Sequence, residues 1–331
     1  MIEIIGQDRA LSFLERTAAA GALPNSLLFT GRSGVGKYSS ALWLSALANC
    51  SADAGRPCWK CRICRNTERL NLVDLRVISP DPATLNIRID QIRGVSEDAA
   101  FAPSECRRKT VIIRDAHRMT EEAANSILKV LEEPPEYMLF ILTAPDRDSV
   151  IPTVASRCFS LSFSELPAEE IRSWLVDRMG IDYRKALVAA SVSLGSLGAA
   201  IEYVSSPEAA GLRTGLMSLL SSMGSVSSFA LSARLSGLFP SMQESGFIAA
   251  RDVAAVWARD LMALKSGASP ELVVNRDFTE ELRRQASEIS MERLSEIPSL
   301  IMETAGQMER NVSPALAADR LFQRIWLSFG R

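Results

Sequence analysis

The most informative segment of this chain is Gly31-Arg32-Ser33-Gly34-Val35-Gly36-Lys37. It follows an apolar segment at residues 27–30 and precedes a helical pattern at residues 41–48. Glycines at this spacing let backbone N–H groups surround a phosphate at the start of a helix, and the lysine reaches the terminal phosphates of a nucleotide. The stretch therefore predicts a phosphate loop (residues 31–37, a P-loop) in an α/β domain, with Gly31, Gly34, Gly36 and Lys37 as its nucleotide-binding residues.

Two positions near the phosphate loop lack the residue types that bind Mg²⁺ in nucleotide hydrolysis. A Ser or Thr hydroxyl normally follows the lysine, but here the residue is Tyr38, whose phenol lies too far from its own backbone. The apolar segment 110–113 runs into Arg114, where a metal-binding acid is expected, and a guanidinium competes with a cation. Only Asp115 remains acidic there. Binding of ATP or ADP stays open, and we do not expect Mg²⁺ coordination.

Four of the six cysteines are crowded into the segment 50–64, spaced as Cys50-x7-Cys58-x2-Cys61-x2-Cys64. Thiols at this spacing let one chain wrap a tetrahedral Zn²⁺, and four of them leave no open position for catalysis. The pattern predicts a closed structural zinc site. Two alternatives are a redox pair of Cys61 with Cys64 and a zinc-bearing module that binds nucleic acid through nearby basic residues.

The overall composition excludes several classes of protein. The chain has 331 residues, of which 47% are hydrophobic and 23% charged, which suits two or three globular domains rather than a disordered or fibrous protein. A formal net charge of −2 provides no general attraction to nucleic acid or to anionic membranes. No signal, transit or membrane-spanning pattern is visible, so the predicted location is the cytoplasm.

The predicted secondary structure changes near Pro167, from alternating strands and helices to helices alone. Before it, apolar segments at 27–30, 75–78, 110–113, 137–143 and 158–163 predict strands that alternate with helices, one of them around residues 123–131 with Thr120 as its N-cap. After it, helical patterns continue between turns, which we place near Gly180, Gly195, Gly224, Gly246 and Gly267. We predict an α/β domain at 1–163, a small helical lid at 164–205 and an all-α domain at 206–331.

The phosphate loop and the four cysteines occur together with several short motifs. Residues 1–205 resemble the AAA+ subunits of the bacterial DNA polymerase III clamp loader, and among them the delta-prime type first and the gamma/tau motor type second. Beyond residue 205, only the segment 258–265 is similar. The resemblance rests on the phosphate loop, the four cysteines and a set of short motifs: Ile5-Gly6-Gln7, Asp90-Gln91-Ile92-Arg93, the segment 125–135 (NSILKVLEEPP) and Ser156-Arg157-Cys158.

The resemblance implies a RecA-like AAA+ domain with a zinc-binding insert, followed by the lid and a collar domain that assembles the subunits. It implies a pentameric ring that uses ATP to open a sliding clamp and place it on primer–template DNA. The partners would be the other clamp-loader subunits, the clamp and, through the assembled complex, the DNA. Arg157 would then serve as an arginine finger, reaching the ATP of a neighbouring subunit in trans.

Within this family, three departures favour a subunit without ATPase activity of its own. Tyr38 and Arg114 replace metal-binding residues, and Gly198 stands where motor subunits carry a nucleotide-sensing arginine. The chain is thus expected to be a non-hydrolysing component of the DNA polymerase III holoenzyme. The alternatives are an ATP-hydrolysing motor subunit of the same complex and a zinc-bearing nucleic-acid-binding module with a vestigial phosphate loop.

Overall fold

The chain, described here by a computed structural model over residues 2–53, 55–239, 244–269, 272–308 and 312–330, divides into two units. Unit 1 comprises Met1–Glu170 together with Gly195–Ala199, and unit 2 comprises Ile171–Leu194 together with Ala200–Arg331. Unit 1 contains the sheet, and unit 2 is built from helices in its described residues.

A parallel sheet of five strands forms the centre of unit 1. The strands are β1 (Ser26–Thr30), β2 (Leu75–Ile78), β3 (Lys109–Ile113), β4 (Met138–Ala144) and β5 (Phe159–Ser162), in the order β2-β3-β4-β1-β5. All five predicted strands are confirmed, with ends that differ by no more than one residue. They were recognisable because a parallel sheet is buried on both faces and its central strands are continuously apolar.

Helices cover both faces of this sheet. Helices α1 (Asp8–Ala19) and α2 (Lys37–Asn49) pack on the face that presents Leu27, Phe29 and Ile141. The opposite face contacts α4 (Ile89–Asp98), α5 (Glu121–Glu132) and the short α6 (Pro152–Ala155), while α3 (Arg62–Glu68) belongs to the cysteine-rich insert. Thr120 caps α5 as predicted, because its Oγ1 accepts a 3.3 Å hydrogen bond from the Ala123 N–H. The α/β fold predicted for this part of the chain is confirmed.

Helices continue from the end of unit 1 through unit 2. They are α7 (Ala168–Met179), α8 (Tyr183–Val192), α9 (Leu197–Ser205), α10 (Pro207–Ser221), α11 (Ser228–Leu238), α12 (Glu244–Lys265), α13 (Thr279–Glu288), α14 (Met291–Met308) and α15 (Pro314–Phe329). The core of unit 2 surrounds the fully buried Trp257, whose indole N–H donates a 3.0 Å hydrogen bond to Gln285 Oε1.

One predicted turn in this helical region is wrong. Gly180, Gly195, Gly224 and Gly267 all have positive φ angles, but Gly246 lies inside α12. Buried side chains at 247, 250, 254 and 257 give α12 a continuous apolar stripe, and this packing outweighs the low helix propensity of one glycine. None of the helices in the described part of the chain combines the length and the apolar character needed to cross a bilayer.

Candidate functional site

The phosphate loop connects the end of β1 to the start of α2. Gly36 is the N-cap of α2 with a φ of 104°, and Gly34 has a φ of 77°, a conformation that side-chain-bearing residues rarely adopt. The Gly31 N–H donates a 2.9 Å hydrogen bond to the carbonyl of Pro145, which follows β4. The four residues predicted to bind a nucleotide therefore lie in one loop and the first turn of the helix after it.

The lysine of this loop is turned toward the loop itself. Lys37 is 8% exposed, and its Nζ donates hydrogen bonds to the carbonyl of Gly31 and, at 2.8 Å, to that of Arg32. Burial lowers the pKa of Lys37 to about 8, against the opposing effect of the Asp115 charge. The ammonium thus takes its hydrogen-bond acceptors from backbone carbonyls of the loop.

Tyr38 and Arg114, the two residues that replace expected metal ligands, contact each other. The Arg114 guanidinium carbon lies 4.5 Å from the centre of the Tyr38 ring, a cation–π arrangement. Burial raises the pKa of the Tyr38 phenol, and the charge of Arg114 opposes this effect. Asp115 follows in the left-handed conformation, with its N–H bonded to Thr143 Oγ1 at 3.0 Å. A cationic side chain stacked on an aromatic ring does not fit a Mg²⁺ ion, which requires oxygen ligands.

The segment Gly195–Ala199 lies directly against the phosphate loop. The Gly198 N–H donates a 2.9 Å hydrogen bond to the Gly34 carbonyl, and a Cβ added at Gly198 would stand 2.9 Å from the Gly34 Cα. A Cβ at Gly34 would in turn collide with Oγ of Ser196, which is itself buried. The sequence singled out Gly198 only as a missing arginine, and its close approach to Gly34 was not predicted.

Gln7 joins the start of the chain to the same loop. Its Nε2 donates to the Val35 carbonyl at 3.1 Å and to the Ser164 carbonyl at 2.8 Å, while its Oε1 accepts from the Ser164 N–H at 3.1 Å. Gln7 is buried, so these bonds satisfy a polar group that has left water. Gln7 of the Ile5-Gly6-Gln7 motif therefore links the phosphate loop to the residues after β5, a role that was not predicted from the sequence.

Arg157 and the phosphate loop lie at opposite ends of two neighbouring strands. Arg157 comes just before β5, whereas the phosphate loop comes just after β1. The two strands are adjacent and parallel, with Leu27 opposite Phe159 and Thr30 opposite Ser162. At about 3.3 Å per residue, the paired stretch alone separates the two features by about 10 Å. Arg157 is therefore remote from its own phosphate loop, and its side chain is 29% exposed.

The four predicted zinc ligands come together in the insert, which consists of the segment after α2 and the start of α3. The Sγ atoms of Cys50, Cys58, Cys61 and Cys64 all lie within 4.8 Å of one another, close to the spacing of about 3.8 Å that four thiolates take around Zn²⁺. Backbone N–H groups of Cys58, Cys61 and Cys64 point at neighbouring Sγ atoms at 3.3–3.4 Å. Such donors favour the thiolate form that binds metal. The cluster fits a structural zinc ion, for which these four residues would be the ligands.

Comparisons with known proteins show which proteins this chain is similar to. The family described as DNA polymerase III, delta subunit matches residues 6–167. The delta' subunit of DNA polymerase III from Bacillus subtilis is 33% identical over 52% of this chain and 52% of its own length. The gamma/tau subunit from Mycobacterium bovis is 27% identical over 98% of this chain and 60% of its own length. The chain thus spans about half to three fifths of the length of these two relatives.

Among solved structures, a gamma subunit-related protein of DNA polymerase III from Thermotoga maritima covers 93% of this chain and 99% of its own. Its sequence identity to this chain is 20%, and the TM-score is 0.43.

Proposed function

We propose that the chain is a subunit of the DNA polymerase III clamp loader, and specifically a delta-prime-like member that does not hydrolyse ATP. The observation that carries the proposal is the stacking of Arg114 on Tyr38, because it puts a fixed positive charge beside the phosphate loop where hydrolysis needs a metal ion. Two further contacts support it. Lys37 binds carbonyls of its own loop, and Gly198 packs against Gly34.

The proposed task of the chain is to complete the ATP site of a neighbouring subunit. Arg157 lies at the amino end of β5, away from its own phosphate loop, so a guanidinium there is suited to a phosphate carried by another subunit. An arginine of this kind stabilises the charge that develops on the γ-phosphoryl group during transfer.

The other roles in this proposal follow from the family. We assign residues 164–205 to the lid and residues 206–331 to a collar that assembles the ring. The proposed partners are gamma/tau and delta subunits, the sliding clamp and, through the complete ring, primer–template DNA in the cytoplasm. Zn²⁺ is proposed as a structural ion at the four cysteines, and ATP or ADP as a ligand that the chain would bind without turning it over.

The test is ATP turnover and clamp loading by a reconstituted ring that carries Arg157→Ala. We expect turnover at the neighbour's site to fall by a factor of up to about 10³, the scale of an arginine finger. Arg147→Ala is the matched control, because Arg147 lies between β4 and α6 and its Nη1 donates a 3.3 Å hydrogen bond to the Ser160 hydroxyl of β5. Unchanged turnover with Arg157→Ala would refute the proposed role.

A second candidate function is an ATP-hydrolysing motor subunit of the gamma/tau type. Its specific support is the gamma/tau relative that matches 98% of the chain, together with the complete set of Gly31, Gly34, Gly36 and Lys37. This candidate requires Mg²⁺-dependent turnover by the chain itself, which the delta-prime-like proposal excludes.

A further inference from the structure

We propose that Glu132 is a positioning residue that holds the Arg157 guanidinium in one orientation for the neighbour's phosphate; this inference rests on the proposed function. Glu132 is the last residue of α5, and Arg157 follows α6. The two residues meet where the ends of these helices approach each other, and Nη2 of Arg157 donates to Oε1 of Glu132.

The guanidinium is fixed at two of its three nitrogen atoms. Besides the bond to Glu132, Nη1 of Arg157 donates a 2.8 Å hydrogen bond to the backbone carbonyl of Thr153. Because the two anchors act on different nitrogens, they define the plane of the guanidinium as well as its position. A flexible side chain is thereby held in place before any phosphate arrives, which reduces the ordering cost of catalysis.

The guanidinium of Arg157 has N–H donors that the two anchoring bonds do not use. A guanidinium has five N–H groups, two on each terminal nitrogen and one on Nε. Each terminal nitrogen of Arg157 uses one of them in the two bonds above, and Nε is buried without a hydrogen-bond partner among the residues that the structure describes. Within the described part of the chain, the second N–H of each terminal nitrogen is therefore left for an oxygen brought by another molecule, and the side chain is 29% exposed.

The exposure of Glu132 distinguishes positioning from a role in stability. Its side chain is 51% exposed, and ion pairs in such surroundings contribute little to the free energy of unfolding. A carboxylate that does little for stability but fixes a functional cation is expected to affect turnover far more than the melting temperature. Replacement by the isosteric amide keeps the shape of the side chain and removes the charge.

The first experiment measures ATP turnover by the reconstituted ring with Glu132→Gln and Glu132→Ala. We expect kcat at the neighbour's site to fall by about tenfold to a hundredfold, with an unchanged KM for ATP and an unchanged melting temperature of the chain. Glu132→Gln added to Arg157→Ala should cause no further loss, since Glu132 acts through Arg157. Glu133→Gln is the matched control, because this neighbouring glutamate is also exposed.

A second experiment needs no ring. The rate at which a dicarbonyl reagent modifies Arg157 in the full chain, followed by peptide mass spectrometry, reports how freely the guanidinium moves. We expect Glu132→Gln to raise this rate several-fold and Glu133→Gln to leave it unchanged. An unchanged rate with Glu132→Gln would overturn the positioning inference whatever the ring does.

The outcomes separate the two proposals. If Arg157→Ala slows the ring but Glu132→Gln leaves it unchanged or accelerates it, positioning by Glu132 is wrong and the arginine finger stands. If Arg157→Ala leaves turnover intact, the proposed function fails and Glu132 has no finger to position.

Discussion

The Arg114 guanidinium stacks on the ring of Tyr38, with 4.5 Å between the guanidinium carbon and the ring centre. Each residue stands where a metal ligand was expected from the sequence, and together they form a contact beside the phosphate loop. The two residues are thus coupled in space, and under the proposed function this cation–π pair occupies the place of a metal-binding arrangement.

This coupling is measurable in a double-mutant cycle with Tyr38→Leu and Arg114→Met. We expect an interaction free energy of about 1 kcal/mol, because the pair is partly shielded from water. Tyr38→Phe keeps the aromatic face and should retain most of the coupling to Arg114. Denaturant unfolding of the four chains gives the value, and additive effects within error would mean that the stacking contributes nothing.

Replacing Gly198 by Ala should loosen the contact between the segment Gly195–Ala199 and the phosphate loop. The new Cβ would stand 2.9 Å from the Gly34 Cα, and because the obstacle is backbone, we expect a loss of about 1–3 kcal/mol in the free energy of unfolding. Gly211→Ala in α10 is the control, since nothing lies within 4 Å of a Cβ at that position. It should stabilise the helix by about 0.5–1 kcal/mol. Equal midpoints of thermal unfolding for the two variants would contradict the close packing.

The cysteine cluster predicts about one Zn²⁺ per chain by elemental analysis. Cys58→Ser should release the metal and increase proteolysis within the insert, because metal binding is coupled to folding of its loops. Cys106→Ser should keep a full complement of zinc, since Cys106 lies outside the group of four thiols. A folded chain that contains no metal would refute the site.

Asp74 anchors a loop beside the insert and gives a pH-dependent test. Its carboxylate is 1% exposed and accepts hydrogen bonds from the N–H groups of Ser104, Glu105 and Cys106 at 2.7–2.9 Å. Burial by itself would raise the pKa of this carboxyl, but the three donors outweigh burial and the pKa is lowered. The charged form is therefore favoured by folding.

A lowered pKa in the folded state contributes stability above the unfolded pKa of about 3.9, and this contribution disappears as the pH falls through the folded value. Asp74→Asn should thus cost about 2 kcal/mol at pH 5–7, with a difference from the native chain that shrinks below about pH 4. Asp90→Asn, at an exposed carboxylate, should change stability by less than about 0.5 kcal/mol. A pH-independent difference for Asp74→Asn would show that the charge of this carboxylate does not contribute to stability.

Local patterns predicted much of the fold. The five strands were recognisable from short apolar runs, and the phosphate loop and the cysteine cluster from residue types at fixed spacing. Gly246 shows the limit of such reasoning, because its place in α12 is decided by the packing of the stripe around Trp257 rather than by its own propensity.

Contacts between distant parts of the chain could not be predicted. The sequence identified Tyr38, Arg114 and Gly198 as departures from a family pattern, but their neighbours depend on where the elements meet. The approach of Gly198 to Gly34 requires the first turn of α9 to lie on the phosphate loop. The pairing of Glu132 with Arg157 likewise requires the ends of α5 and α6 to converge, and no spacing rule contains that information.

The most direct test of the non-hydrolysing role is steady-state ATP turnover by the purified chain in Mg²⁺, repeated after mixing with a hydrolysis-competent clamp-loader subunit. For a non-hydrolysing subunit we expect no turnover by the chain alone, no effect of Lys37→Ala on that baseline, and turnover in the mixture that depends on Arg157. Mg²⁺-dependent turnover by the isolated chain, abolished by Lys37→Ala, would contradict it and identify a motor subunit.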